Sequence, residues 1–398
     1  MISKRHSVAN NKHLGPARYD ATKPSTYIMY LDANNLYGWA MSQPMPYGFF
    51  RWLSEEEIRA IEWTDLDDDS LVGYFVECDL DYPAELHEEH NDYPLAPERM
   101  DIDFTMLSDT AVEIRRHYDM SNNVHATKLV PNLLNKRHYV VHYRLLKFYL
   151  QHGLHLVKVH RAIGFMQRPW LETYITLNQN LRAGAQNDFE KDFFKLMNNA
   201  VYGKTCENQK KRTDIKLVTT DRKRRRLTEK PHCLGFRIFS EGLAAVELRK
   251  IKLLINKPFY VGFSVLELSK LHMYKFHYDH IKRRFGNRAQ LLFTDTDSLM
   301  YEIEARDIYE NLWEDSDLFD FSNYKPTSPY FDNKNNKVIG KFKDEAAGNP
   351  IVEFVGLRPK MYSFLVLDSA TQELKGKHRA KGIQYAAANH LRHEDYLA

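Results

Sequence analysis

The part of the chain that most constrains its fold is residues 291–301, where two short apolar runs flank the polar segment 294–298 (Thr-Asp-Thr-Asp-Ser). This pattern predicts a β-hairpin with its acidic residues at the turn. On an extended chain, side chains two residues apart share a face, so Asp295 and Asp297 are expected to converge. Adjacent carboxylates repel unless a cation lies between them, and Mg²⁺ prefers oxygen ligands. The segment therefore predicts a divalent-cation site, with an ordinary exposed turn as the alternative.

A second carboxylate follows the apolar run 27–31 (Tyr-Ile-Met-Tyr-Leu). A buried strand that ends at Asp32 and leads into a tight turn is a suitable way to hold a metal ligand. Taken alone, Asp32 fits equally well as the N-cap of a helix.

Residues 188–204 have the spacing of a helix. Lys191, Lys195, Asn199 and Tyr202 then lie on one continuous face, and Gly203 is expected to end the helix as its C-cap. Two lysines, an amide and a phenol suit a triphosphate, with the ring available to a base or sugar. A solvated helix face is the alternative.

Length and composition indicate a folded, soluble protein. The 398 residues are 43 % apolar and 13 % aromatic, enough for a large core in two or three subdomains. Cys78, Cys206 and Cys233 are far apart, which argues against a disulfide framework or zinc module and favours a reducing compartment. No apolar run approaches the roughly 18 residues of a membrane span, and the N-terminus lacks a signal-peptide core. We therefore expect an intracellular protein with no membrane partner.

The net charge of +3 conceals a segregation. Residues 54–110 hold 19 acidic and two basic residues, whereas the rest of the chain holds 34 acidic and 54 basic ones. A basic body indicates a polyanionic partner, although a solvated surface fits the charge as well. The run 222–226 (Arg-Lys-Arg-Arg-Arg) is typical of a nuclear signal or a nucleic-acid patch, with the tip of a solvated hairpin as the alternative.

Other segments receive simpler predictions. Residues 1–25 are predicted to be a poorly structured lead-in and 305–336 to be rich in loops. Helices are predicted at 139–150, 241–254 and 263–285, and strands at 72–78, 154–159, 338–343 and 361–367.

Three motifs occur in the order Asp32-x-x-x-Leu36-Tyr37, Lys195-x-x-x-Asn199-x-x-Tyr202-Gly203 and Asp295-Thr296-Asp297-Ser298, with Lys360-x-Tyr362 downstream. Between about residues 27 and 383 the chain resembles the family B DNA polymerases. It is most similar to their protein-primed branch, found in viruses and virus-like mobile elements.

The resemblance implies roles for individual residues. Asp32 and Asp297 match the two aspartates that hold two catalytic Mg²⁺ ions, for which Mn²⁺ can substitute, and Asp295 matches a third carboxylate of the site. Tyr37 matches the residue beneath the incoming sugar. The residues implied at the nucleotide are Lys195, Asn199, Tyr202 and Gly203, with Arg182 or Lys191 as a further phosphate contact. Those implied at the primer strand are Lys360, Tyr362 and Lys381.

The motifs also depart from the family pattern. The first motif has Asn35-Leu36-Tyr37-Gly38 where Ser-Leu-Tyr-Pro is usual, Phe293 stands where Tyr is usual, and Ala200 where Ser often occurs. Only 31 residues precede Asp32, and the chain ends soon after Lys381. We therefore expect a fragment without the exonuclease domain and with only the start of a thumb.

The predicted fold class is α+β, a right-hand polymerase core with an antiparallel palm sheet, helical fingers and a partial thumb. The predicted segments are a lead-in (1–26), palm (27–53), acidic insert (54–134), fingers (135–210), palm with a basic insert and the hairpin (211–304), palm end (305–367) and thumb (368–398). The predicted reaction is template-directed transfer of a nucleotide from a dNTP to a primer 3′-hydroxyl. The expected partners are primer-template DNA, dNTP and a terminal priming protein.

Two alternatives remain at this point. One is an inactive relic that only binds DNA. The other is a reverse transcriptase, in which the paired aspartates are adjacent, whereas Thr296 separates them here.

Overall fold

The computed structural model describes residues 5–397. They form two compact units: one comprises the residues up to Ile175 and those from Leu266 onwards, and the other is Thr176–Val265. Among residues 5–397, no helix combines the length and apolar character that a membrane crossing requires.

Strands and helices are numbered separately in chain order. The strands are β1 (Arg5–Val8), β2 (Thr26–Ala33), β3 (Met45–Trp52), β4 (Val72–Asp81), β5 (Glu98–Ile102), β6 (Ala126–Val130), β7 (Lys136–His142), β8 (His155–Arg168), β9 (Thr213–Val218), β10 (Cys233–Ser240), β11 (Leu243–Arg249), β12 (Ala289–Asp295), β13 (Ser298–Glu304), β14 (Phe319–Asp320), β15 (Phe342–Asp344), β16 (Ile351–Arg358), β17 (Met361–Leu367) and β18 (Leu374–Ala380). The helices are α1 (Leu36–Met41), α2 (Glu55–Arg59), α3 (His87–His90), α4 (Asp109–His117), α5 (Tyr143–Gln151), α6 (Glu172–Ala183), α7 (Asp188–Thr205), α8 (Asp221–Thr228), α9 (Phe259–Lys275), α10 (Arg283–Phe285), α11 (Ile308–Glu314), α12 (Tyr385–Ala388) and α13 (His393–Leu397).

The first unit is built on a mainly antiparallel sheet, called the main sheet, with the order β12-β13-β2-β16-β17-β18. Strand β1 pairs with β16, while β15 pairs with the end of β2 and carries the short parallel strand β14. The hairpin predicted at 291–301 is therefore present as β12 and β13, and β13 lies directly beside β2.

Strand β2 is covered on both faces, which explains its continuously apolar sequence. Tyr27, Met29 and Leu31 belong to the core that includes residues of α9 and α11, whereas Ile28 belongs to the core formed with β16 and β17. Because side chains alternate along a strand, Asp32 projects from the face of Ile28, at the end of the strand.

The acidic segment, residues 54–110, folds within the first unit. It contributes β4 to a second antiparallel sheet, of order β3-β8-β4-β7, and β5 to a small β5-β6 pair. Some of its charges are neutralised by basic residues from elsewhere in this unit. Asp68 lies 3.3 Å from Arg144 and 3.6 Å from Lys275, and Glu98 lies 3.0 Å from the buried Lys136.

The second unit contains α6, α7, α8 and a three-stranded sheet of order β10-β11-β9. The predicted helix at 241–254 is wrong, because residues 243–249 are strand β11. Ala244, Val246 and Leu248 alternate as buried residues, which is the period of a strand. The basic run 222–226 lies in helix α8, so its alternative as a hairpin tip is also wrong.

Several boundaries differ from prediction. The helix predicted at 139–150 begins only at Tyr143, because the preceding residues pair as β7 with β4. Helix α7 continues through Gly203 to Thr205 and has Cys206 at its C-cap, so Gly203 is not the C-cap. Of the strand predicted at 338–343, only residues 342 and 343 form a strand, as part of β15. Helix α11 lies in the segment 305–336, which was predicted to be rich in loops.

The predicted helix at 263–285 is present, although α9 passes through a π-helical stretch at Phe276–Lys282 before α10. The predicted lead-in is ordered where it is described, since β1 pairs with β16 and Asn10 bridges to Thr26. Its first four residues, like Ala398 at the end of the predicted thumb, lie outside the described residues.

Candidate active site

The main sheet brings the first and third sequence motifs together. Asp32 on β2 is the register partner of Ser298 on β13, and Ser298 is the partner of Asp295 on β12. The backbone N–H of Ala33 donates to the carbonyl of Asp297 at 2.7 Å. Asp32 at the end of β2 and Asp297 in the turn before β13 are thus held beside each other at one end of the sheet.

The hairpin turn consists of Thr296 and Asp297. Thr296 has φ +65°, and the N–H of Asp297 donates to the carbonyl of Asp295 at 2.7 Å. Strand β12 ends at Asp295, so Asp295 and Asp297 do not lie on one extended strand. The extended-chain argument for their convergence is therefore wrong, because the chain turns between them.

Asp295 is paired with Lys360 from the loop between β16 and β17. The Lys360 ammonium donates to both carboxylate oxygens of Asp295, at 2.5 and 2.6 Å. Lys360 has φ +61°, a left-handed conformation that is uncommon for a residue with a Cβ. The third motif and the Lys-x-Tyr motif are therefore joined by a charged hydrogen bond.

A hydroxyl chain makes a second connection between the motifs. The phenol oxygen of Tyr30 lies 3.2 Å from that of Tyr362 and 3.4 Å from Oγ of Ser298. Tyr362 is largely buried, and its ring packs against Phe293 with 4.6 Å between centroids. Burial, together with the neighbouring phenol and the charge of Asp32, raises the pKa of Tyr30.

A lysine and a further aspartate lie beside Asp32 on the next two strands. Lys343 on β15 is the register partner of Asp32, and Asp320 on β14 is the partner of Lys343. Opposed residues on neighbouring strands project from the same face. We call the set Asp320, Lys343 and Asp32 the charged row. Sequence reasoning missed Asp320 and Lys343, because only the register of three strands distant in sequence brings them to Asp32.

Asp320 and Lys343 of the charged row have defined partners. Asp320 is almost fully buried and accepts hydrogen bonds from Asn34 at 2.7 Å and from the backbone N–H groups of Lys337 and Ser322. Burial opposes ionisation of Asp320, but these donors lower its pKa overall. The Lys343 ammonium lies 2.7 Å from Glu345.

The turn after Asp32 explains one departure from the family pattern. Asn35 has the left-handed values φ 44° and ψ 58°, and its side chain accepts the N–H of Gly38 as the N-cap of α1. A Cβ at position 38 would lie 2.2 Å from the Asn35 side chain. Proline, usual at this position, has no N–H to donate, so Asn35 and Gly38 depend on each other. The N-cap alternative for Asp32 is wrong, since Asn35 caps the helix. Tyr37 lies in the first turn of α1 and is half-buried.

The carboxylates fit a hard divalent cation by their chemistry. Asp32 at the end of β2 and Asp297 in the adjoining turn provide carboxylate oxygens, whereas Asp295 is engaged by Lys360. Within residues 5–397, no three His, Cys, Asp or Glu side chains are grouped so that they could hold an ion on their own. Mg²⁺ commonly takes one or two carboxylates and completes its coordination with water and substrate phosphates, so the carboxylates of Asp32 and Asp297 fit such an ion by their chemistry.

Comparison with known proteins identifies the family. The model of type B DNA polymerases from organelles and viruses matches residues 17–280, about two thirds of the chain. The chain belongs to this family. This confirms the resemblance to the viral, protein-primed branch of family B polymerases. Among curated proteins, none matches the chain in sequence.

Solved structures of phi29 DNA polymerase share the fold. The orthorhombic crystal form aligns with a TM-score of 0.53 and 14 % identity, covering 97 % of this chain and 57 % of that one. The complex with primer-template DNA and incoming nucleotide aligns with a TM-score of 0.52 and 15 % identity, covering 94 % and 54 %. The chain thus spans little more than half the length of these polymerases. The predicted α+β polymerase fold is confirmed.

In the terms of this family, the main sheet corresponds to the palm. The implied primer-strand residues Lys360, Tyr362 and Lys381 lie close together where β17 begins and β18 ends, because Met361 pairs with Ala380. The N–H of Lys381 donates to the carbonyl of Lys360 at 2.9 Å.

Apart from Tyr37 on α1, the residues that the resemblance implies at the nucleotide lie in the second unit. On α7, Lys191, Lys195 and Asn199 are exposed and Tyr202 is half-buried. Lys191 pairs with Asp188 one turn earlier, at 3.0 Å. Arg182 lies on α6 and is partly buried, and Gly203 is exposed within α7.

Proposed function

We propose that this chain is the catalytic part of a template-directed DNA polymerase. The observation that carries the proposal is that Asp32, at the end of β2, lies beside Asp297, in the β12–β13 turn, where the N–H of Ala33 donates to the carbonyl of Asp297. Family membership and the shared fold with phi29 polymerase support it. Solved phi29 polymerase complexes contain primer-template DNA and incoming nucleotides, which we propose as the partners of this chain as well.

The proposed reaction is nucleotidyl transfer. The oxygen of the primer 3′-hydroxyl forms a bond to the α-phosphorus of a dNTP, the bond from that phosphorus to the bridging oxygen breaks, and pyrophosphate leaves. Asp32 and Asp297 would hold the divalent cations, whose chemistry when bound would be to acidify the attacking hydroxyl and to stabilise charge on the phosphates.

The protein residues provide position and charge. Lys195 on α7 is proposed to bind the triphosphate as a point charge, and Asn199 to lie beside the nascent pair. Lys360 is proposed to contact the primer strand, with Asp295 fixing its ammonium. Asp295 then acts on primer position rather than as a direct ligand of the cation.

Primer extension on a defined template with Mg²⁺ tests the proposal. Asp32→Asn and Asp297→Asn should each abolish extension while binding of primer-template DNA remains. Asp65→Asn, in the exposed acidic segment, is the matched control and should extend normally. DNA binding by the unaltered chain without any extension would instead identify a relic polymerase.

Two finer points belong to the same proposal. We propose priming by a terminal protein and an origin in a virus-like mobile element, as the resemblance to the protein-primed branch suggests. Transfer of a labelled dNMP to a hydroxyl of a candidate terminal protein, rather than to a DNA primer, would be the measurement for the first point.

A further inference from the structure

The charged row places a lysine beside a proposed metal ligand. Lys343 is opposed to Asp32 on one side and to Asp320 on the other, so its ammonium shares a face with both carboxylates. Neighbouring strands lie about 5 Å apart, well within the range of unscreened charge interactions. Neither the cation chemistry nor the primer contacts described above make use of this lysine.

The surroundings hold the lysine charge in place. Its ammonium donates to Glu345 at 2.7 Å, and both side chains are about one-third exposed. Burial lowers the pKa of Lys343, but Glu345, Asp32 and Asp320 together raise it overall, so the ammonium is retained. Asp320 is fixed by three donors and 1 % exposed, so it cannot swing away from the row.

We propose that Lys343 is a positioning residue that holds the Asp32 carboxylate through its charge and limits how tightly Asp32 and Asp297 take up a divalent cation. This inference rests on the proposed function. In the absence of a cation, the ammonium offsets the repulsion of Asp32 by Asp297 and Asp320. When a dication binds, the same ammonium repels it, so affinity is kept moderate.

Cation binding can be measured without polymerase activity. Free Mn²⁺ is titrated with the whole chain, with no DNA or nucleotide present, and followed by electron paramagnetic resonance. Lys343→Gln removes the charge but keeps a donor for Glu345, and Coulomb's law in a largely aqueous setting predicts about three- to tenfold tighter Mn²⁺ binding. Lys343→Arg keeps the charge and should bind like the unaltered chain. Lys334→Gln, which loses an exposed ion pair with Asp317, should change nothing.

The remaining outcomes separate the inference from the proposed function. If Asp297→Asn abolishes Mn²⁺ binding while Lys343→Gln binds no more tightly than the unaltered chain, the role of Lys343 is wrong and the cation site stands. If Asp297→Asn leaves Mn²⁺ affinity unchanged, the cation site and the role of Lys343 both fail. Should Lys343→Gln not fold, as judged by circular dichroism, Lys343→Met carries the same expectation.

Discussion

At the scale of single residues, the carboxylates near the end of the main sheet differ in their surroundings. Asp295 accepts two bonds from Lys360, Asp320 accepts bonds from an amide and two backbone groups, and Asp344 is buried beside Tyr324. These different surroundings are compatible with different roles, and under the proposed function Asp295 would act on primer position while Asp320 provides a fixed charge. Residue type alone, which is the same at all these positions, does not predict that difference.

Tyr37 gives a prediction about sugar selection. Its position in the first turn of α1, directly after the turn that follows Asp32, suits a ring packed against the 2′ carbon of a bound nucleotide. A closely packed ring has no space for a 2′-hydroxyl, so Tyr37→Ala should raise ribonucleotide incorporation relative to deoxyribonucleotide. The ratio is measured by primer extension with each substrate. A core tyrosine would instead lose stability and impair both substrates alike, and Trp39→Phe in the same helix serves as the control for general damage.

Asp344 gives a prediction about pH. Burial raises the pKa of its carboxyl to about 6, although Tyr324 and the N–H groups of Ala346 and Gly348 oppose the shift. The folded state therefore holds this proton more tightly than the unfolded state, and the associated stability is lost as pH rises through about 6. Relative to Asp344→Asn, the unaltered chain should gain about 1 kcal/mol of unfolding free energy from pH 7 to pH 5. Urea denaturation at both pH values checks this, and an equal difference at both would contradict it.

At the scale of elements, the β12–β13 turn stores backbone strain. Thr296 is β-branched and has φ +65°, a conformation that glycine adopts more readily. Thr296→Gly should therefore raise the unfolding free energy by about 1 kcal/mol, measured by denaturant titration. Thr294→Gly, within strand β12, is the matched control and should destabilise the protein by about as much. A loss of stability in Thr296→Gly would show that the threonine side chain stabilises the turn more than its backbone strains it.

Local patterns were sufficient for some elements and not for others. The β12–β13 hairpin and β2 were predictable, because each couples an apolar run to a polar end. Strand β11 was not, since its run of Ala, Val and Leu separated by small or charged residues is short enough to fit a helix as well. Its pairing with β9 and β10 decided the outcome, and pairing is not visible in a local window.

Some residues of the candidate site were likewise predictable from the sequence, and others were not. The family motifs supplied Asp32, Asp297 and Lys360 from the sequence. The partners of these residues were hidden, because Lys343 meets Asp32 only through strand register and Asp295 meets Lys360 only through the β16–β17 loop. Sequence reasoning therefore named the carboxylates, but it assigned Asp295 to the cation without detecting Lys360 as its counter-ion.

At the scale of the whole molecule, charge is distributed unevenly along the chain, but the fold compensates part of the difference. Asp68 in the acidic segment is close to Arg144, Lys147 and Lys275. Burial alone would raise the pKa of Asp68, but these three cations lower it overall. The acidic segment is thus partly neutralised within the first unit, whereas the remaining chain carries a basic surplus.

That surplus predicts how DNA binding depends on salt. A polymerase that contacts six to ten phosphates releases as many condensed cations, so affinity for primer-template DNA should fall by about 10³–10⁵ between 50 and 200 mM salt. Fluorescence anisotropy across this range gives the slope of log K against log salt. Lys360→Ala should weaken binding to all sequences alike and reduce the slope by about 1, whereas the exposed Lys334→Ala should leave it unchanged. A flat salt dependence would argue against an extended DNA track, and an unchanged slope in Lys360→Ala would mean that its ammonium stays on Asp295 when DNA binds.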